Sequence, residues 1–204
     1  MLHINPLEGV KFADKPLVCF RRNQNLRDLL GQTRISKGKV LRKKELKAGR
    51  CSPCLSRPDT KCCKHIISTR TFRGHAGDKE YKIFHRVNCK SKNVLYLGFC
   101  EKCNFKPYTG KCESQAMNKR INKHRNDAKK PDSISFDKHF LLPDHNFDRD
   151  CKFIIIEAID NRNMTKEQIR EMLLHREDFW MLKLKTLEPN GFNMSLNYPS
   201  NAWE

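Results

Sequence analysis

Four side chains spaced as two pairs carry the clearest chemistry in this chain: Cys100 and Cys103 in Cys-Glu-Lys-Cys, and His139 and His145 in His-Phe-Leu-Leu-Pro-Asp-His. Zinc takes four sulfur or nitrogen ligands in a tetrahedron, often delivered as pairs from separate segments. The gap between these pairs is too long for a simple DNA-reading finger, so they imply a structural site closed by the fold. A second group, Cys51-Ser-Pro-Cys54 with Cys62-Cys63-Lys-His65 and Cys89 beyond, suggests another zinc knuckle. Cys51, Cys54, Cys63 and Cys89 are the expected ligands, with Cys62 and His65 as substitutes; buried or surface thiols are the alternative reading. Cys19, Cys112 and Cys151 stand alone and suit packing. The start, Met-Leu-His-Ile-Asn-Pro, is not followed by the continuous apolar core of a secretory signal, so an intracellular chain with reduced thiols is expected.

Charge points to the partner. Forty-one Lys and Arg against 23 Asp and Glu give a formal net charge of +18 over 204 residues. Such a chain repels itself unless a polyanion screens it, and nucleic acid is the expected polyanion. A membrane surface is the competing reading, but no apolar stretch is long enough to span a bilayer and no basic helix has a strong apolar face.

The elements that must position these groups are legible from periodicity. Residues 1–50 read as a basic arm: a loop to about Phe20, a short helix with Leu26, Leu29 and Leu30 at helical spacing, then eight Lys or Arg and one acid from Arg34 to Arg50. Arg42, Lys43 and Lys44 lie in that run, which suits either a solvated linker or phosphate contact. Residues 51–92 form a cysteine-rich module with an expected hairpin, Ile66–Phe72 against Tyr81–Val87. Val94–Phe99 and Lys106–Lys111 read as strands joined across the cysteine pair, and Ser114 to about Ala128 as a helix with Met117 and Ile121 on one side. Cys151–Ile159, with three consecutive isoleucines, is the strongest strand. Thr165 and Gln168 make a capping box for a long helix whose core side takes Ile169, Met172, Leu173, Phe179, Trp180, Leu182 and Leu184. The fold class is therefore α+β: a small three-stranded antiparallel sheet flanked by helices, with an N-terminal basic, cysteine-containing extension.

The run Asn-Val-Leu-Tyr96-Leu-Gly-Phe-Cys-Glu-Lys-Cys-Asn-Phe-Lys-Pro-Tyr108-Thr-Gly110 sets a tyrosine on each side of the cysteine pair. It resembles the opening of a GIY-YIG nuclease, with Val94-Leu95 in place of Gly-Ile and Cys112 where a small polar residue is common. Further matches follow in family order: Arg120 on the next helix, His124 one turn later, Glu177 on the long helix and Asn193 in Pro-Asn-Gly-Phe-Asn. The resemblance implies a nuclease domain over 93–198, with Tyr96, Tyr108, Arg120, His124, Glu177 and Asn193 as its catalytic set and Gly110 as a structural member.

Hydrolysis of a phosphodiester gives each type a task. The attacking water must lose a proton, charge on the phosphorane-like transition state must be neutralised, and the leaving 3′ oxygen needs help. A carboxylate such as Glu177 suits Mg²⁺, which keeps several waters. Arg120 offers a planar fork to phosphate oxygens. Tyr96 is the expected general base, with Tyr108 or His124 as proton partner. An unperturbed phenol titrates near pH 10, so the cation and the arginine have to lower that value.

The cysteines between the tyrosines, the two downstream histidines and the phrase Phe20-Arg-Arg-Asn-Gln-Asn-Leu-Arg-Asp-Leu-Leu30 are similar to the endonuclease portion of Penelope-like retroelements. That resemblance implies a C-terminal fragment lacking the reverse transcriptase. It also implies a nuclear enzyme that nicks DNA so a polymerase can prime from the exposed end, with DNA, element RNA or a reverse transcriptase as partners. Lys123 and Arg125 join the basic arm as expected DNA contacts. The alternative is a catalytically inactive, zinc-containing nucleic-acid binding protein derived from such an element.

Overall fold

A computed structural model describes residues 49–54, 61–74, 79–103, 106–160 and 162–198, all within one compact unit, Lys43–Glu204. Arg42, Lys43, Lys44, Cys19 and the expected N-terminal helix lie outside the described residues. Four helices and a three-stranded antiparallel sheet form the body. Strand β5 (Lys92–Cys100) runs in the middle, between β6 (Tyr108–Ala116) and β7 (Cys151–Ala158). Eight of the nine residues of β5 are buried, as a strand covered on both faces requires. Gly98 is part of that covering, because a Cβ there would stand 2.7 Å from the Phe136 ring.

Helix α1 (Met117–Asp127) follows β6 directly. The strand takes Ser114–Ala116, which periodicity assigned to the helix: Asn93 Oδ1 accepts from the Ser114 amide at 2.8 Å and holds a bulged end of the β5–β6 ladder. The short helices α2 (Ser135–Lys138) and α3 (Phe147–Asp150) cross to β7. Helix α4 (Lys166–Leu184) opens on the expected Thr165–Gln168 capping box and ends with Lys185 in the left-handed conformation. It buries Ile169, Leu173, Trp180 and Leu184, while Met172 and Leu182 face solvent, because the buried stripe is narrower than the apolar one.

The cysteine-rich segment joins the same core rather than standing apart, since Cys51, Ile66, Phe72 and Val87 are buried with the sheet. Its hairpin is shorter than expected. Strands β2 (Thr71–Arg73) and β3 (Glu80–Lys82) pair antiparallel, but β4 (Arg86–Val87) pairs parallel with β1 (Arg50–Cys51), and Ile66 bridges to Phe153. The hairpin docks through aromatic edges, with the Phe72 and Tyr81 rings 5.2 and 5.3 Å from Trp180 of α4. Among the described residues no helix is long and apolar enough to cross a membrane.

Candidate active-site cleft and metal centres

Tyr96 sits at the middle of β5, fully buried, with Gly110 of β6 directly opposite. A Cβ at position 110 would stand 2.6 Å from the Tyr96 hydroxyl and 2.7 Å from the Tyr108 ring. Glycine is therefore what lets two phenols share one place on the sheet. Arg120 and His124 project from successive turns of α1 onto the same hydroxyl. Arg120 Nε donates to Tyr96 Oη at 2.8 Å, and His124 Nε2 lies 2.7 Å from it. On its other side, His124 Nδ1 is 2.7 Å from Asp137 Oδ1, and both side chains are only 2% exposed.

Burial holds the His124 pKa below its ordinary value, against the pull of Asp137. The imidazole is then neutral near pH 7. Its Nδ1–H donates to Asp137 and its Nε2 accepts from the tyrosine hydroxyl. Asp137, His124, Tyr96 and Arg120 make one continuous hydrogen-bonded chain. Burial also raises Tyr96 well above the usual phenol value, with the Arg120 charge opposing. Arg120 is pushed further up, chiefly by the Tyr96 phenol, and stays cationic.

A cleft of about 380 Å³ opens between β6 and α4. Tyr108, Arg120, Glu177 and Asn193 line it, as do Lys111, Glu113, Gln115, Met181 and Asn197. Four of the six expected catalytic residues thus meet in one concavity. Tyr96 and His124 do not line it and connect to it through Arg120. Burial pushes the Tyr108 phenol up to about 12, Glu177 adds to this, and Arg120 opposes it. Glu177 is 5% exposed, and its Oε2 receives both Lys111 Nζ and Asn197 Nδ2. Its neighbour Asp178, fully buried, accepts the Asn197 and Tyr198 amides and so fastens the chain beyond the helix across the cleft.

Two expected site residues have partners within the fold. Asn193 uses both ends of its amide on the Thr109 backbone, at 2.8 and 2.9 Å, and so positions the start of β6 at the edge of the cleft. Arg125 is not a free DNA contact: it binds Asp148, Asn122, the Lys61 carbonyl and His65 Nε2, and clamps α1 to the cysteine-rich segment. Lys123 remains exposed, lining a second cleft of about 340 Å³ with Arg120 and Lys130. Lys111, Asn197 and Asp137 were not picked out by sequence; an aspartate in Ser-Phe-Asp-Lys gives no sign of facing a histidine.

Cys100, Cys103, His139 and His145 come together, with all four ligand atoms within 4.8 Å of one another. Cys103 Sγ lies 3.2 Å from His139 Nε2 and 3.1 Å from His145 Nε2. Zn–S near 2.3 Å and Zn–N near 2.0 Å put such atoms about 3.5 Å apart in a tetrahedron, so the set fits zinc. The Pro143 carbonyl, 2.9 Å from His145 Nδ1, fixes that ring. The second cluster keeps three thiols, Cys54, Cys63 and Cys89, with Cys63 at 3.3 Å from Cys54 and 3.6 Å from Cys89. These clusters could hold a metal ion such as zinc. Cys51 stands outside the trio, because its sulfur accepts the Ile155 amide of β7 and burial pushes its thiol up to about 11. The substitutes are also committed elsewhere, Cys62 to Asn118 and Asn122 and His65 to the Cys151 carbonyl.

No family model matches this chain, and no curated protein or solved structure matches it.

Proposed function

We propose that this chain is a divalent-cation-dependent endonuclease that hydrolyses a DNA phosphodiester in the cleft between β6 and α4. One observation carries the reading: residues from Tyr108 to Glu177, on a strand and two separate helices, converge with Arg120 in a single polar concavity. Arg120 is held by Tyr96 on its inner side, which leaves its fork oriented for non-bridging phosphate oxygens. Tyr108, the phenol that lines the cleft, takes the proton of the attacking water, in place of the enclosed Tyr96. The Tyr96–His124–Asp137 chain keeps Arg120 aimed from behind. Both donors to Glu177 reach Oε2, so Glu177 would hold a hydrated Mg²⁺ through its other oxygen. A divalent cation held there would supply positive charge to the transition state, in the cleft that Tyr108 and Arg120 also line. Cys100, Cys103, His139 and His145 would hold zinc, which would brace the β5–β6 turn that leads to Tyr108. A nuclear location, and contact with a reverse transcriptase or its RNA, belong to the same reading.

The test is conversion of supercoiled plasmid to open circle with and without Mg²⁺. Tyr108→Phe and Arg120→Lys are each expected to slow nicking at least about a hundredfold, while DNA binding persists. A second reading, a zinc-bearing DNA-binding protein that does not cut, is favoured by the Lys111 ammonium seated on Glu177. It predicts salt-sensitive binding and no open circle at any Mg²⁺ concentration.

A further inference from the structure

Away from the cleft, three arginines gather where no acid among the described residues meets them. Arg50, Arg70 and Arg86 line a hollow of about 300 Å³ with Ser52, and no acidic side chain among the described residues lines it. Arg50 and Arg86 are direct partners in the parallel pairing of β1 and β4. Like charges opposite one another on adjacent strands repel, so this register costs stability unless something offsets it. The backbone enforces it nonetheless. Gly49 lets β1 lie against residues 84–85, where a Cβ would fall 2.3 Å from the His85 nitrogen. The Arg50 amide bonds the His85 carbonyl at 3.0 Å, and the Ile83 amide bonds the Arg70 carbonyl at 2.8 Å. Arg50 is oriented by two donations to Ser68 Oγ, at 3.2 and 2.7 Å, which a neutral hydroxyl accepts without cancelling the charge. The arginine ion pairs among the described residues involve Arg73, Arg125, Arg149, Arg162 and Arg176 instead.

We infer that Arg50, Arg70 and Arg86 form a binding site for one phosphate group. Two guanidinium groups on the β1–β4 pair and a third from the bend at Arg70, whose carbonyl bonds the Ile83 amide, offer the forked donors that phosphate oxygens take. The hollow lies on the β7 side of the sheet, since β1 and β4 both pack on β7, whereas the cleft lies on β6. On the proposed DNA reading, on which this inference rests, the phosphate belongs to the nucleic-acid backbone away from the scissile bond, and the site sets where along the strand cutting falls. A free phosphate or nucleotide phosphate is the other source of the same chemistry.

The experiment compares the full chain with an Arg70→Gln/Arg86→Gln variant, both positions being exposed, in buffer without Mg²⁺ so that cleavage plays no part. Affinity for a fluorescein-labelled DNA duplex is titrated against NaCl, and thermal stability against inorganic phosphate. A plot of log K against log salt that becomes shallower by about one in the variant assigns the site to a backbone phosphate. An unchanged slope, with inorganic phosphate stabilising the parent and not the variant, assigns it to free phosphate. The Arg70→Lys/Arg86→Lys pair, which keeps charge, should recover the slope, separating lost contact from lost folding. If neither slope nor phosphate stabilisation differs between parent and Gln variant, the inference is overturned. A parent chain that binds phosphate here but no DNA contradicts the nuclease reading and leaves this site standing.

Discussion

At the scale of single residues, the arrangement turns on one hydroxyl. Tyr96 Oη meets Arg120 and His124 together, and Tyr96→Phe would leave a buried donor and a buried acceptor without their partner. We expect a loss of about 1–3 kcal/mol in urea unfolding, together with slowed nicking; an unchanged midpoint would show that the hydroxyl is not held as described. Gly110→Ala forces a methyl between two rings and should cost a similar amount, about 1–3 kcal/mol, by overpacking. The pH profile follows from the phenol facing the cleft. With Tyr108 pushed up to about 12, its basic form is scarce at neutrality and grows as protons are withdrawn. Nicking should therefore rise by about tenfold per pH unit from roughly pH 6 to 9, approaching a plateau only where bound cation brings the phenol down. A bell centred near neutrality would point to a different base. Tyr96, Tyr108, Arg120 and His124 were singled out in the sequence by their order, and the structure brings them together. Their partners were not, because Asp137 reaches His124 only through the turn after α1 and Lys111 reaches Glu177 only where α4 packs on β6.

At the scale of elements, periodicity found the three strands and the long helix, and the capping box placed the helix start to the residue. It misjudged places where backbone geometry or sharing of surface decides. Ser114–Ala116 stays in β6 because the Ser114 amide donates to an asparagine side chain, and Ile66, Thr69 and residues 86–87 leave the expected hairpin to pair with β7 and β1. The cysteine–histidine set joins the β5–β6 turn to the loop after α2, two pieces with little other regular structure to hold them. Removing metal with a chelator should raise amide exchange in residues 100–108 and 139–146 far more than in α4, whose buried face does not depend on it. Equal protection with and without chelator would mean the four ligands do not hold a structural ion. Cys103→Ser should reproduce the loosened turn, since Cys103 is the ligand nearest both histidines.

At the scale of the whole molecule, the sequence carries a formal charge of +18, and the cysteine-rich segment shares one core with the sheet. Charge and composition raise the expectation of a polyanion partner; they could not say which cations were spoken for, and Arg125 is engaged as a structural clamp. Two buried histidines, His65 and His124, have pKa values lowered by burial. Each stays neutral in the native state and takes up a proton more readily when unfolded. Their stabilisation is complete above the unfolded value near 6.5 and is lost as pH falls through it, so Tm should drop between about pH 7.5 and 5.5. A Tm flat across that window would contradict buried, neutral imidazoles. The central claim concerns what the cleft does, and plasmid nicking with Mg²⁺ by the parent chain and by Glu177→Gln addresses it most directly. Open-circle product from the parent, at least about a hundredfold less from the variant at equal DNA binding, is the predicted result. Nicking by the variant at the parent's rate, or none by either across Mg²⁺ concentrations, would contradict it.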